Sequence, residues 1–182
     1  MKLAPIVAEI RRHCPSFEGR VYGSVEFADI ESLTNLPMPC SFVLPLGEST
    51  SEPIFSTDYM QDVEQSFGVV VFVKNSRDRT GMDAYDNLEE IKAEIHRVLT
   101  GWVPNEDSDP VVYDGSSVLD VNRERLAVQF EFTWPYAISD EDTRHGVDIS
   151  TLPDLEFVDI KVDQMVPDGS VEAEALLKLG GK

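Results

Sequence analysis

The chain has 182 residues, with 15 Lys and Arg against 34 Asp and Glu, a formal net charge of −19. Hydrophobic residues make up 42 %, which excludes a wholly disordered chain and suffices for one domain with a real core, while the acidic balance excludes a protein that grips nucleic acid through its phosphates. No run reaches the roughly 20 apolar residues of a membrane span, residues 1–15 lack the charged-then-apolar order of a signal peptide, and Cys14 and Cys40 are too few for a disulfide scaffold, so a reducing compartment is expected.

Residues 3–14 are expected to form a short helix. Pro5 suits its first turn, Ile6 and Ile10 share a face, and Pro15 stops it. Residues 20–30 read as a strand, because Val21, Gly23, Val25 and Phe27 alternate with Tyr22, Ser24, Glu26 and Ala28. Residues 40–46 form a second, apolar strand, with Pro39 and Pro45 marking an edge or a strand end. The polar stretch 47–58 reads as a long mobile loop, and loops of that length are functional or disordered. Residues 61–74 follow as a long β-branched strand central to a sheet.

The clearest helix is expected over 82–100. Tyr85, Leu88, Ile91, Ile95, Leu99 and Trp102 recur at three and four, a core stripe and not an aromatic binding box. Thr80 or Asp83 caps its start, and Gly101 with Pro104 ends it. An acidic turn at 105–109 leads into a hairpin of strands 111–121 and 125–137. In its second strand Leu126, Val128, Phe130, Phe132 and Trp134 face one way, and Ala127, Gln129, Glu131 and Thr133 the other.

Composition shifts after Ile138: residues 138–182 hold 11 acids and 4 bases. Residues 139–148 read as a linker, 155–162 as a strand, Pro167, Asp168 and Gly169 as a turn, and 171–179 as a short helix capped by Ser170. So small a segment cannot bury its own core. The expected class is α+β: a mostly antiparallel sheet with two main helices packed on it over residues 1–138, plus an acidic C-terminal extension over 139–182.

Motifs for chemistry are missing. His13, His96 and His145 lie in separate segments without ligand spacing, and Glu106, Asp107 and Asp109 lack the glycine and distal glutamate of a calcium loop. There is no nucleophile elbow and no phosphate-cradling glycine loop. Pro153-Asp154 followed by Asp159-Ile160-Lys161 superficially resembles a Pro-Asp…Asp-x-Lys nuclease pattern, at a separation too short for its strand-turn-strand. No catalytic, metal or cofactor residues are therefore expected. The conspicuous features are surfaces suited to assembly.

The block 85–138 resembles the tail terminator (tail completion) proteins of long-tailed bacteriophages. The resemblance rests on the helix closing Leu99-Thr100-Gly101-Trp102-Val103-Pro104, then Pro110-Val111-Val112-Tyr113-Asp114-Gly115, then Leu126-Ala127-Val128-Gln129-Phe130-Glu131-Phe132. It implies a tail-tube-like fold and a virion structural protein in the neck, assembled in the host cytoplasm. Such a protein forms a homo-oligomeric ring, usually a hexamer, on the head-proximal end of the tail tube. It stops tube polymerisation and offers a surface to a head-completion protein, while genomic DNA crosses its lumen without specific binding. An acidic lumen would give the phosphates nothing to hold. Another head–tail connector such as a head-completion (stopper) protein is the alternative, and a metal-dependent nuclease a more distant one. By the same analogy, Glu48, Ser49, Thr50, Ser51, Glu52, Ile54 and Phe55 are candidates for the tube contact. Phe157, Val158, Ile160, Val162, Leu176 and Leu179 are candidates for clasping a neighbouring subunit.

Overall fold

The computed structural model describes residues 2–24, 27, 36–55, 59–75, 82–105, 108–122, 124–153, 157–162 and 173–178. The chain folds as two units, Met1–Ser139 and Asp140–Lys182.

In the first unit an amphipathic helix, α1 (Leu3–His13), ends where the Cys14 N–H bonds back to the Ile10 carbonyl. Pro15 opens a 3-10 turn, Pro15–Phe17. Strand β1 (Val21–Tyr22) then runs parallel to β2 (Cys40–Thr50). β2 pairs antiparallel with β4 (Tyr59–Lys74), and β3 (Ile54–Phe55) folds back onto the start of β4. Helix α2 (Met82–Leu99) precedes β5 (Val112–Val121) and β6 (Arg125–Ser139). The sheet order is β1-β2-β4-β6-β5, with β3 attached to β4. The architecture is α+β and mostly antiparallel.

β4 and β6 are the centre. They pair without a bulge from Met60↔Ser139 to Lys74↔Arg125, so strict alternation sorts their side chains onto two faces. One face carries Phe67, Val69, Val71, Val73, Val128, Phe130 and Phe132. It packs under Ile6 and Ile10 of α1 and Leu88, Ile91, Ile95 and Leu99 of α2. The other face holds a smaller cluster at one end: Cys40, Phe42, Val70, Phe72 and Ala127, with Tyr22, Phe27, Leu36 and Met38 against it.

Polar contacts fix the helices to this frame. The Arg11 guanidinium donates to the Val21 carbonyl. Ser16 donates its hydroxyl to Glu94, at 2.8 Å, which ties the turn after α1 to α2. α2 ends at Gly101, whose φ of +81° is open to glycine at little cost.

Several expectations need correction. The first strand stops at Tyr22: the Phe27 N–H bonds the Gly23 carbonyl, an i→i+4 turn that alternation alone does not reveal, and Val25, Glu26 and Ala28 lie outside the described residues. Pro45 marks no strand end. It sits at a bulge where β2 has run past the short β1 and forms the sheet's edge. Tyr85 is 49 % exposed and leaves the stripe, its place taken by Ala84. The caps assigned to Thr80 and Ser170, and the turn at Pro167, Asp168 and Gly169, fall outside the described residues.

The second unit differs most. The expected linker holds a 3-10 turn, Asp140–Asp142, and a short helix, α3 (Arg144–Ser150). β7 (Phe157–Val162) is the expected strand, but the expected helix after it is a strand, β8 (Ala173–Lys178), paired antiparallel with β7. Its residues favour a helix in isolation, and pairing with the β-branched β7 overrides that weak preference.

Phe132 is fully buried, its ring stacked 5.5 Å from Phe67 and tilted against Tyr113 at 5.4 Å. Phe132→Ala is expected to cost about 3–5 kcal/mol in urea unfolding. Tyr85→Ala on the exposed side of α2 is expected to stay within about 0.5 kcal/mol. Equal losses would contradict this placement of the core.

Candidate assembly surfaces

Among the described residues no group of three His, Cys, Asp or Glu side chains is placed to hold a metal, and no helix is long and apolar enough to cross a membrane. Both thiols are buried, and burial pushes Cys14 and Cys40 up to about 12, which suppresses the reactive thiolate. Of the nuclease-like pattern, Asp154 is outside the described residues, and the Asp159 carboxylate lies 3.3 Å from the Lys161 ammonium on an exposed strand. Glu106 and Asp107 are also outside them.

The face of the sheet opposite the helices has a different character away from its small apolar cluster. Alternation and register place Ser66 and Gly68 of β4 beside Thr133 and Glu131 of β6. Gly68 leaves room there: a Cβ would come within 3.2 Å of the Gln129 side chain, which lies over it. Gln129 donates to Glu131 at 2.9 Å, Ser117 donates to the same carboxylate, and Thr133 donates to Asp114. The result is a strip of amides, hydroxyls and carboxylates, hydrogen-bonded side to side.

This strip lacks cations for a reason visible along the chain. Residues 21–73, 98–122 and 126–143 contain no Lys, Arg or His. Within β2, β4, β5 and β6 the bases are Lys74 and Arg125 alone, which face each other on the last rung of the sheet. Arg125 is already committed, 3.1 Å from Asp120 and over the Phe72 ring. The sequence analysis recognised the acidic surplus and the outward face of β6 but not this strip, which exists only once β4, β6 and β5 are in register.

Most of the candidate tube-contact residues lie in strands and not in a loop. Glu48, Ser49 and Thr50 continue β2 against Gln65, Glu64 and Val63, and Ile54 and Phe55 form β3. Ser51 and Glu52 make the connection. The Ser51 N–H bonds the Asp62 carbonyl, the Asp62 N–H bonds the Ser51 hydroxyl, and Gln65 donates to Glu48 at 2.6 Å. With the ends of β4 and β6 they build a sheet arm in which Val63 and Trp134 are buried and most other side chains are not. A polar strand carries no apolar alternation, so its pairing partner, and not its own residues, reveals it.

The clasp candidates divide. Val158 and Ile160 sit opposite Leu177 and Ala175 and make one apolar face of the β7–β8 ribbon, with the Val162↔Ala173 pair next in register. Phe157 and Leu176 belong to the other face, beside Asp159, Lys161 and Glu174. Leu179 is outside the described residues. Leu177 was missed because helical spacing singled out its neighbour. Leu177 is 53 % exposed and Ile160 42 %.

A match to the phage tail terminator protein family spans residues 1–143. The chain belongs to that family. Its members are structural proteins of the phage tail, so the chain is a bacteriophage virion component. Among solved structures, a chain of the virion of a native gene transfer agent particle is similar at a TM-score of 0.39 and 12 % identity, covering 65 % of this chain and 79 % of that one. No curated protein matches it in sequence.

One titratable group of the terminator bears on stability. His96 on α2 meets Tyr113 edge-on at 4.4 Å and bonds Thr100 at 3.1 Å, which holds the helix end to the edge strand. Burial, with Lys92 adding to it, lowers its pKa below the usual 6.5, partly opposed by Glu89. The unfolded chain therefore takes up this proton before the folded one, and stability is complete above about pH 6.5 and lost as pH falls through the folded value. The urea midpoint is expected to drop between about pH 7.5 and 5.5, and His96→Gln to flatten that slope. An unchanged slope in the variant would contradict the assignment.

Proposed function

We propose that the chain forms a ring, usually of six copies, on the head-proximal end of the tail tube, where it stops tube growth and presents a joining surface to a head-completion protein. The single observation that carries this reading is the cation-free strip on the face of the central sheet opposite the helices. A terminator must let DNA through, and B-DNA carries about one charge per 1.7 Å of axis. A wall built from Asp114, Glu131, Ser66, Thr133 and Gln129 offers phosphates no cation to stop on. The helices α1 and α2 then lie outside this wall, as in a tail-tube subunit. The chain works by contact, without a bond-making centre, and acts in the neck of the virion after assembly in the host cytoplasm.

In this reading the arm of β2, β3 and β4 meets the tube, and the apolar face of the β7–β8 ribbon clasps an adjacent subunit. An isolated two-stranded ribbon is marginal in water, and its ion pairs of Lys161 with Asp159 and Glu174 are exposed, each worth about 0–1 kcal/mol. It gains most by covering Val158, Ile160 and Leu177.

Electron microscopy of a virus lacking this chain tests the proposal. Overlong tubes separate from DNA-filled heads are expected, and the wild-type chain supplied in trans restores joined tails of normal length. A chain ending at Ser139 is expected to restore them poorly. Normal, joined tails without the chain would refute the terminator reading, and full rescue by the shortened chain would refute the clasp.

A further inference from the structure

The arm joins unpaired carboxylates to exposed apolar side chains. Some carboxylates of the first unit have basic partners: Glu18 with Arg20, Glu89 with Lys92, Asp120 with Arg125. On the arm, Glu48, Asp62 and Glu64 are exposed, and among the described residues none of them is ion-paired. The reason is positional. The nearest base along β4 is Lys74, twelve residues from Asp62, about 40 Å along an extended strand. That is several times the roughly 8 Å over which exposed charges act at physiological salt.

Within this acidic rim lies an apolar pair. Ile54 and Met60 are direct cross-strand partners, 58 % and 51 % exposed. Alternation puts Met60, Asp62 and Glu64 on one face of β4. Two large apolar side chains beside unpaired carboxylates suit a protein surface. DNA would be repelled by the acids and gains nothing from the apolar pair.

Building on the tube-contact reading, we propose that the arm docks on a protein whose surface presents an apolar socket rimmed by Lys and Arg. A second copy of this chain is a poor occupant. It carries the same net charge of −19, so the whole copy is repelled, and of the bases on its long strands Asp120 already holds Arg125. The tube end facing the terminator therefore supplies the basic rim, and the contact is electrostatically steered with an apolar anchor.

The test uses tail tubes purified from particles assembled without this chain, with the full-length protein cosedimented on them. Wild-type binding is expected to fall at least tenfold between about 50 and 500 mM NaCl. The double reversal Asp62→Lys with Glu64→Lys is expected to weaken binding at least tenfold at low salt and to abolish the salt dependence. Met60→Ser is expected to weaken binding while keeping that dependence. Asp86→Lys, exposed on α2, is expected to change little. All four altered residues are exposed, and matching thermal melts show that the variants fold.

Salt-independent wild-type binding, or an arm reversal no weaker than wild type, would overturn the inference while leaving the terminator reading intact. So would an equal effect of Asp86→Lys, which would make the response one of net charge alone. If the wild-type chain ignores tubes and binds tail-less heads with the same response to arm reversal, the arm chemistry is upheld and its assignment to the tube is the part that fails.

Discussion

The unbroken antiparallel register of β4 on β6 is the constraint on which the first unit depends. Its rungs run from Met60↔Ser139 to Lys74↔Arg125 without a bulge. A one-residue slip would carry Phe67, Val69, Phe130 and Phe132 out of the core and the polar strip into it. The same pairing that buries the α1 and α2 interface therefore manufactures the cation-free strip. Core and functional surface are two sides of one alternation, so selection on either constrains the other.

That coupling explains what could be read from residues alone. The stripe Leu88, Ile91, Ile95 and Leu99, and the alternation of β6 from Leu126 to Trp134, are periodic and strongly apolar, and they fold as their periods dictate. The misreadings cluster where pairing decides. Glu48 to Thr50 have no apolar rhythm and become a strand only against Glu64 and its neighbours. Ala173–Lys178 has helical composition and becomes a strand only against β7. That switch also moves the apolar position from Leu176 to Leu177, because period two replaces period 3.6. The polar strip was half legible: Gln129, Glu131 and Thr133 alternate visibly, but their lateral neighbours Gly68, Ser66, Asp114 and Ser117 come from distant segments.

Electrostatics gives the strip its meaning. Screening at physiological salt confines its field to roughly 8 Å, so it cannot hold DNA at a distance. It denies adhesion at contact, by keeping Lys and Arg off 53 consecutive residues from Val21 to Val73 and off the working lengths of β5 and β6. Among the described residues the bases of the first unit sit instead on or beside α1, on α2 and at one end of the sheet, for example Arg11, Lys92, Arg97 and Arg125. This division, and not the net charge of −19 by itself, is what suits a passage for a polyanion. Acids scattered evenly among bases would give the same surplus and a sticky wall.

The orientation of the sheet in the assembled neck tests this account most directly. A cryo-electron microscopy map of the virion neck at side-chain resolution would show which surface borders the DNA. The account predicts Gln129, Glu131, Thr133 and Asp114 of every subunit at the lumen, with α1 and α2 on the outside. Helices lining the channel, or Lys and Arg side chains ringed around the DNA, would contradict it.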